Sequence, residues 1–145
     1  MAGAELHRAA FDRGTRQAAN RWAHRIGTRI VAEAKDRCPV DEGTLRASID
    51  YVATVDGTSA KVVVGSPLDY AEYLHSGTGI HGPRGTPIVP VTREALKFKW
   101  DGPGKATRSK DKRGFVFAKS VKGIKPNPFL ADALEAIIGA VQRRT

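Results

Sequence analysis

Residues 49–65, with the sequence IDYVATVDGTSAKVVVG, decide the fold. Apolar or aromatic residues occupy every second position from Ile49 to Val55, which is the pattern of a strand with one buried face. Asp56-Gly57 then favours a tight turn, and residues 60–65 form the returning strand. The stretch therefore predicts an antiparallel β-hairpin.

Helical patterns lie on both sides of this hairpin. From residue 4 to about Arg37, apolar residues recur at three- and four-residue steps and form one stripe of a long helix. The stripe consists of Ala19, Trp22, Ile26, Ile30 and Ala34. Pro39 ends the helix because proline cannot continue it. A second helix is predicted from Asn127-Pro128 to the C-terminus, since asparagine is a favoured N-cap and proline suits the first helical position.

A second pair of strands is predicted near two aromatic pairs. Phe98 and Trp100 alternate with lysines, and Phe115 and Phe117 alternate with small apolar residues, so the two strands are expected to share an aromatic face. The basic loop 101–114 would join them. It is much longer than the usual hairpin loop and is predicted to be flexible.

Together these elements predict an α+β fold in a single domain over residues 1–145. We expect a long N-terminal helix, an antiparallel sheet of about four strands with one long basic hairpin, and a C-terminal helix packed on the sheet. Residues 69–75 fit either a helical turn or an irregular edge.

The net charge of +9 is concentrated in one part of the chain. Residues 96–128 carry ten basic and two acidic side chains, and five of the basic residues lie in the basic loop. These five are Lys105, Arg108, Lys110, Lys112 and Arg113. They are candidates for contact with DNA in a channel or with a partner protein.

A second basic feature is a stripe of arginines on the N-terminal helix. Arg21, Arg25 and Arg29 follow one another at four-residue steps and so lie on one face. Such a stripe is either a solvated face or a subunit contact, and the hypothesis taken forward is a subunit contact.

No catalytic or metal constellation emerges from the residues. The sequence GTGIHG at 77–82 matches a dinucleotide fingerprint, but prolines follow where the phosphate-binding helix should begin. His75 and His81 lie near Glu72, a spacing that arises readily by chance. The single cysteine, Cys38, excludes an internal disulfide and is interpreted as a small residue at a helix end. The sequence therefore predicts a protein that is not an enzyme and needs no cofactor.

No stretch reaches the roughly 18 consecutive apolar residues that a membrane span requires. The first residues also lack the apolar core of a signal peptide. We therefore expect a soluble protein made in a reducing compartment, with no membrane partner.

Three segments, taken in order, carry a family resemblance. They are residues 38–49 (CPVDEGTLRASI), 70–78 (YAEYLHSGT) and 125–130 (KPNPFL). Their order and spacing resemble the minor tail and neck component family of long-tailed bacteriophages. The motif residues are Pro39, Val40, Asp41, Gly43, Leu45, Arg46, Ser48, Tyr70, Ala71, Gly77, Thr78, Pro126, Asn127, Pro128 and Phe129. The chain departs from the family pattern at His75 and Ser76, where an acidic residue followed by an aromatic one is expected.

The resemblance implies a structural virion protein at the head-tail junction, made in the bacterial cytoplasm and acting without catalysis. It further implies a homo-oligomeric ring, a hexamer, around the DNA channel. Such a ring would contact neighbouring connector and tail proteins and touch phage DNA without sequence specificity. Two alternatives stay open, a tail terminator protein and a stand-alone nucleic-acid-binding module that acts through the basic loop.

Overall fold

The computed structural model describes residues 8–40, 43–99 and 115–142. Its elements are helices α1 (Arg8–Arg37) and α2 (Thr44–Ser48), strands β1 (Asp50–Asp56) and β2 (Ser59–Gly65), helix α3 (Asp69–Ser76), a 3-10 turn (Gly79–His81), strands β3 (Leu96–Lys99) and β4 (Phe115–Ala118), and helix α4 (Phe129–Gln142). The α+β class is confirmed.

The described residues form two compact units. The first unit contains the residues up to Ala71 and those from Pro128 onwards, and the second contains residues 72–127. One domain over residues 1–145 stays a prediction. Within the described ranges, no helix combines the length and the apolar character that crossing a bilayer requires.

The predicted hairpin is confirmed in the first unit. Strands β1 and β2 pair antiparallel, from Asp50 opposite Gly65 to Asp56 opposite Ser59. This register leaves Gly57-Thr58 as a two-residue turn. Gly57 has φ +58°, a left-handed value that hairpin turns of this length require and that glycine adopts at little cost.

Helix α1 is the centre of the first unit, because both the β1-β2 sheet and α4 pack against it. The core consists of Ala23, Ile26, Ile30, Ala34, Cys38, Leu45, Ile49, Ala71, Phe129, Ala133 and Ile137. The main partner of α4 is therefore α1, in place of the sheet that the sequence predicted. A 30-residue helix is about 45 Å long and a seven-residue strand only about 23 Å, so the sheet cannot cover α1 alone.

The predicted stripe on α1 is correct at Ile26, Ile30 and Ala34, but not at Trp22. Trp22 is 43% exposed, and its neighbour Ala23 is fully buried instead. Each four-residue step moves about 40° around a helix, so Trp22 lies about 80° from Ile30 while Ala23 lies about 20° from it. Two successive four-residue steps separate Trp22 from Ile30, so Trp22 lies beside the buried face and not on it.

The prediction of one sheet of about four strands is wrong for the described residues. They form two separate two-stranded sheets, β1-β2 in the first unit and β3-β4 in the second. Each strand pairs with its neighbour along the chain. Trp100 and the basic loop 101–114, which join β3 to β4, lie outside the described residues.

The predicted common aromatic face of β3 and β4 is also wrong. Phe98 lies opposite the buried Val116, whereas Phe117 lies opposite Lys97 and Phe115 opposite Lys99. Residues directly opposite one another in a sheet share a face, so Phe98 lies on one face and the other two phenylalanines on the reverse. Alternation within each strand indicated strands correctly, but it could not give the register between them.

Candidate assembly surfaces

The first motif segment builds the start of the first unit rather than a chemical site. Leu45 is buried, and the Ser48 hydroxyl donates to the Leu45 carbonyl at 2.7 Å. Ser48 Oγ lies 2.6 Å from Ser66 Oγ, which in turn accepts from the Leu68 amide at 3.2 Å. This chain of hydrogen bonds fixes the end of α2 to the turn before α3. Asp41, another residue of this motif segment, lies outside the described residues.

Cys38 is a free cysteine buried at the end of α1. Burial raises the pKa of Cys38, and the nearby charge of Arg46 lowers it by a smaller amount. The thiol is therefore protonated at neutral pH, and the thiolate is the form that attacks or binds metals. The interpretation of Cys38 as a small residue at a helix end fits this position.

The second motif segment and the residues just after it pair with residues 122–127, which include the start of the third motif segment, in the second unit. The Thr78 amide donates to the Ile124 carbonyl at 3.0 Å, and the Ile124 amide returns a bond to Thr78 Oγ1 at 3.1 Å. Further bonds extend the pairing at both ends, from the Ile80 amide to the Lys122 carbonyl at 2.9 Å and from the Asn127 amide to the Leu74 carbonyl at 3.0 Å. We call residues 74–82 and 122–127 together the glycine crossing.

Glycines allow the two backbones of this crossing to approach. Gly79 has φ +64°, and a Cβ there would meet the Lys122 carbonyl oxygen. Gly123 has φ +89°, and a Cβ there would meet the Thr78 carbonyl oxygen. The GTGIHG sequence therefore serves close backbone packing, and only a single 3-10 turn follows Gly79, not the helix that a dinucleotide site needs.

Replacing Gly123 by alanine is expected to open the glycine crossing. The substitution combines a left-handed backbone, which costs a side chain about 1–2 kcal/mol, with a clash against a carbonyl that cannot rotate away. We expect the Thr78, Ile80 and Ile124 amides to lose protection from hydrogen exchange, and hydrogen-exchange rates measure this loss.

The matched control for this substitution is Gly85→Ala. Gly85 has φ +61°, but a Cβ there meets nothing within 4 Å. Gly85→Ala should carry the backbone cost alone and leave protection of the crossing amides unchanged. Equal loss of protection in both variants would contradict the close-approach account.

The outer face of the β1-β2 hairpin carries one exposed apolar pair. Val52 lies directly opposite Val63, and the two side chains are 67% and 53% exposed. Within the described part of the chain, the sheet has two strands, so β1 and β2 each have an unpaired outer edge. Such an edge presents free amides and carbonyls that can pair with a further strand.

The predicted arginine stripe lies on the solvent side of α1. Arg21, Arg25 and Arg29 are all exposed, and no described carboxylate lies within 4.0 Å of their nitrogens. Like charges four residues apart repel on a helix by about 0.2–0.5 kcal/mol per pair. The exposed Trp22 lies beside them, three residues before Arg25 and seven before Arg29. Sequence reasoning missed Trp22 as a surface residue, and tracking the 40° drift per step would have found it.

A lysine covers the aromatic side of the β3-β4 sheet. Lys97 Nζ lies 4.3 Å from the centre of the Phe115 ring and 5.8 Å from that of Phe117, which is within cation-π range. This face stands at the base of the basic loop. The five predicted contact residues of that loop lie outside the described residues, so their role stays a prediction.

The structure does not group the described histidine, cysteine and carboxylate side chains into a metal site. Among residues 8–40, 43–99 and 115–142, no three histidine, cysteine or carboxylate side chains are grouped closely enough to hold a metal ion. Among the motif residues, Leu45, Ala71 and Phe129 are buried and Thr78 lies in the glycine crossing, whereas Arg46 is exposed and pairs with Asp36 at 3.6 Å.

Comparison with known proteins gives a match to a protein family. A family described as "Bacteriophage HK97-gp10, putative tail-component" matches residues 4–77, which is just over half of the chain. The matched range includes α1, α2, the β1-β2 hairpin and α3. No curated protein and no solved structure shows significant similarity to the chain.

Proposed function

Because this chain belongs to the HK97-gp10-like family of bacteriophage tail components, we propose that it is a neck or tail-completion subunit of the head-tail connection. In this role it forms an oligomeric ring around the DNA channel. The role is structural, and the protein acts within the virion.

The open hairpin is the observation that carries the oligomeric part of the proposal. Exposed apolar pairs and unpaired strand edges are a liability for a monomer, because they promote association. In a subunit of a closed assembly the same features supply the contact. Val52 and Val63 would be buried by a neighbouring copy that adds to the sheet edge or covers its outer face.

The basic loop supports contact with DNA in the channel. The excess of positive charge lies in residues 96–128, and repeating this segment around a ring would concentrate it. Phosphate contacts of this kind are sequence-independent, as a channel that passes a whole genome requires. Neighbouring connector and tail proteins would contact the two open ends of the ring.

Deletion of the gene from the phage tests the proposal. We expect filled heads that lack attached tails, seen by electron microscopy, and no infectious particles. Tails of uncontrolled length would instead indicate a tail terminator. Normal infectious particles made without the protein would contradict both roles.

Complementation with single variants links the defect to the hairpin. Val52→Lys places a charge on the proposed contact and should not restore infectivity. Val91→Lys is the matched control, because Val91 is 94% exposed and belongs to the second unit, whereas the hairpin belongs to the first. It should restore infectivity fully. Circular dichroism of both variants checks that they fold.

A further inference from the structure

We propose that neighbouring copies contact each other through α1 of one copy and α4 of the next. The tryptophan-arginine face, formed by Trp22, Arg25 and Arg29, would bind the acidic groove beside Asp132 and Glu135. This inference rests on the proposed ring and adds a second contact between neighbouring copies to the one proposed at the hairpin.

The tryptophan-arginine face has the composition of a protein contact. Trp22, Arg25 and Arg29 follow at three- and four-residue steps, and Phe11, eleven residues before Trp22, lies about 20° from it around the helix. Phe11 and Trp22 are 61% and 43% exposed, and both arginines are exposed. Tryptophan and arginine are the residues most enriched where binding energy concentrates in interfaces.

A nucleic acid fits this face less well than a protein does. The face continues along α1 to Glu33 and Asp36, four and seven residues beyond Arg29. Each of these carboxylates already pairs with an arginine, Glu33 with Arg37 at 2.8 Å and Asp36 with Arg46 at 3.6 Å, so a phosphate backbone laid along the helix would find no excess positive charge there. A partner that places carboxylates opposite Arg25 and Arg29 alone needs none.

The acidic groove is an open cleft of about 360 Å³ between the end of α1 and α4. Its lining residues are Arg37, Asp132, Glu135, Ala136 and Gly139. The four α4 residues recur at three- and four-residue steps and so form one stripe of that helix. Ala136 and Gly139 are small and leave room for a large side chain from another molecule.

Two charges in the acidic groove are available to a partner. Arg37 is held by Glu33, with Nη2 2.8 Å from Oε1, so its charge is already engaged within α1. Among the described residues, no lysine, arginine or histidine nitrogen lies within 4.0 Å of the Asp132 or Glu135 carboxylates. Two carboxylates on one stripe of α4 thus match two arginines on one stripe of α1, and every copy of the chain carries both surfaces.

The pairing of two different surfaces produces a head-to-tail contact. A contact of this kind generates a closed ring when the rotation between copies divides a full turn, and a filament otherwise. A second copy of this chain is therefore an occupant that fits both the charge pattern and the proposed ring.

Charge reversal tests the pairing in the purified full chain, with native mass spectrometry and electron microscopy as the readouts. Arg25→Glu with Arg29→Glu should abolish rings, and so should Asp132→Arg with Glu135→Arg. The chain that carries all four substitutions should assemble again, and it should not co-assemble with the unmodified chain. Arg84→Glu with Arg93→Glu is the matched control, with the same charge change on exposed residues of the second unit, and should leave rings intact.

The outcomes separate this inference from the proposed function. Rings that survive both arginine reversals would overturn the α1-α4 contact while leaving the ring in place. A four-fold variant that stays monomeric would overturn the pairing of these two surfaces. An arginine variant that keeps its rings but loses retention of duplex DNA would assign the face to DNA. An unmodified chain that forms no ring would contradict the proposed function itself.

Discussion

Phe129→Ala is expected to lower the free energy of unfolding by about 3–5 kcal/mol, the range found when a buried phenylalanine is truncated. Phe129 is fully buried and is one of the two largest side chains that are completely enclosed. It lies in the first turn of α4, where it joins the core that this helix shares with α1. Truncation leaves a cavity at the beginning of that contact. Urea denaturation followed by circular dichroism measures the change.

Leu134→Ala is the matched control within the same helix. Leu134 is 49% exposed, so its truncation removes few contacts and should change stability by no more than about 0.5 kcal/mol. Similar losses in the two variants would contradict the packing of α4 through Phe129.

Gly27→Ala is expected to destabilise the first unit, although alanine in a helix interior normally stabilises by about 1 kcal/mol relative to glycine. A Cβ at residue 27 would lie 2.7 Å from Cγ and from Cε2 of the Tyr51 ring. The ring cannot turn aside freely, because the Tyr51 hydroxyl lies 2.9 Å from His24 Nδ1. Overpacking of this kind costs about 1–3 kcal/mol, which outweighs the gain in helix propensity. The change in the thermal unfolding midpoint shows whether Gly27→Ala lowers or raises the stability of the protein.

Two controls isolate the clash. A Cβ at Gly14, in the same helix, meets nothing within 4 Å, so Gly14→Ala should stabilise or leave the protein unchanged. In a Tyr51→Ala background, Gly27→Ala should no longer destabilise the protein, because the ring that the new Cβ meets is gone. The stability effects of substitutions at residues in contact are not additive. A stabilising effect of Gly27→Ala in the unmodified chain would contradict the packing of Tyr51 on α1.

Local patterns in the sequence were enough to predict the local elements. Alternation and the Asp56-Gly57 signal predicted the β1-β2 hairpin, because its strands are neighbours in the chain; the turn itself consists of Gly57 and Thr58. Pro39 predicted the end of α1, and Asn127-Pro128 predicted the start of α4. Sequence left residues 69–75 open between a helical turn and an irregular edge, and the structure assigns them to α3.

Features that depend on distant residues could not be predicted. The register of β3 on β4 decides that Phe98 and Phe117 lie on opposite faces, and no local signal encodes it. The glycine crossing joins Thr78 to Ile124 across 46 positions, so no local signal shows that Gly79 is confined by another backbone segment. Its actual constraint is the carbonyl of Lys122.

The candidate surfaces were also predictable only where they depend on residues close together in the sequence. The sequence indicated the arginines at 21, 25 and 29 correctly as one exposed stripe. It placed Trp22 in the core, and so hid the apolar part of that surface. It gave no sign that Asp132 and Glu135 line a groove, because that depends on the packing of α4 against α1.

The motif residues contribute to packing in both units. Leu45 and Phe129 are buried in the first unit, where Ser48 bonds to Ser66, and Gly77 and Thr78 belong to the glycine crossing of the second.

Electron microscopy of the purified full chain, with native mass spectrometry of the same sample, tests the ring most directly. We expect closed rings with an open centre and a mass that is one integer multiple of the 15.6 kDa chain. A monomer at every concentration, both alone and with its neighbouring tail proteins, would contradict the account.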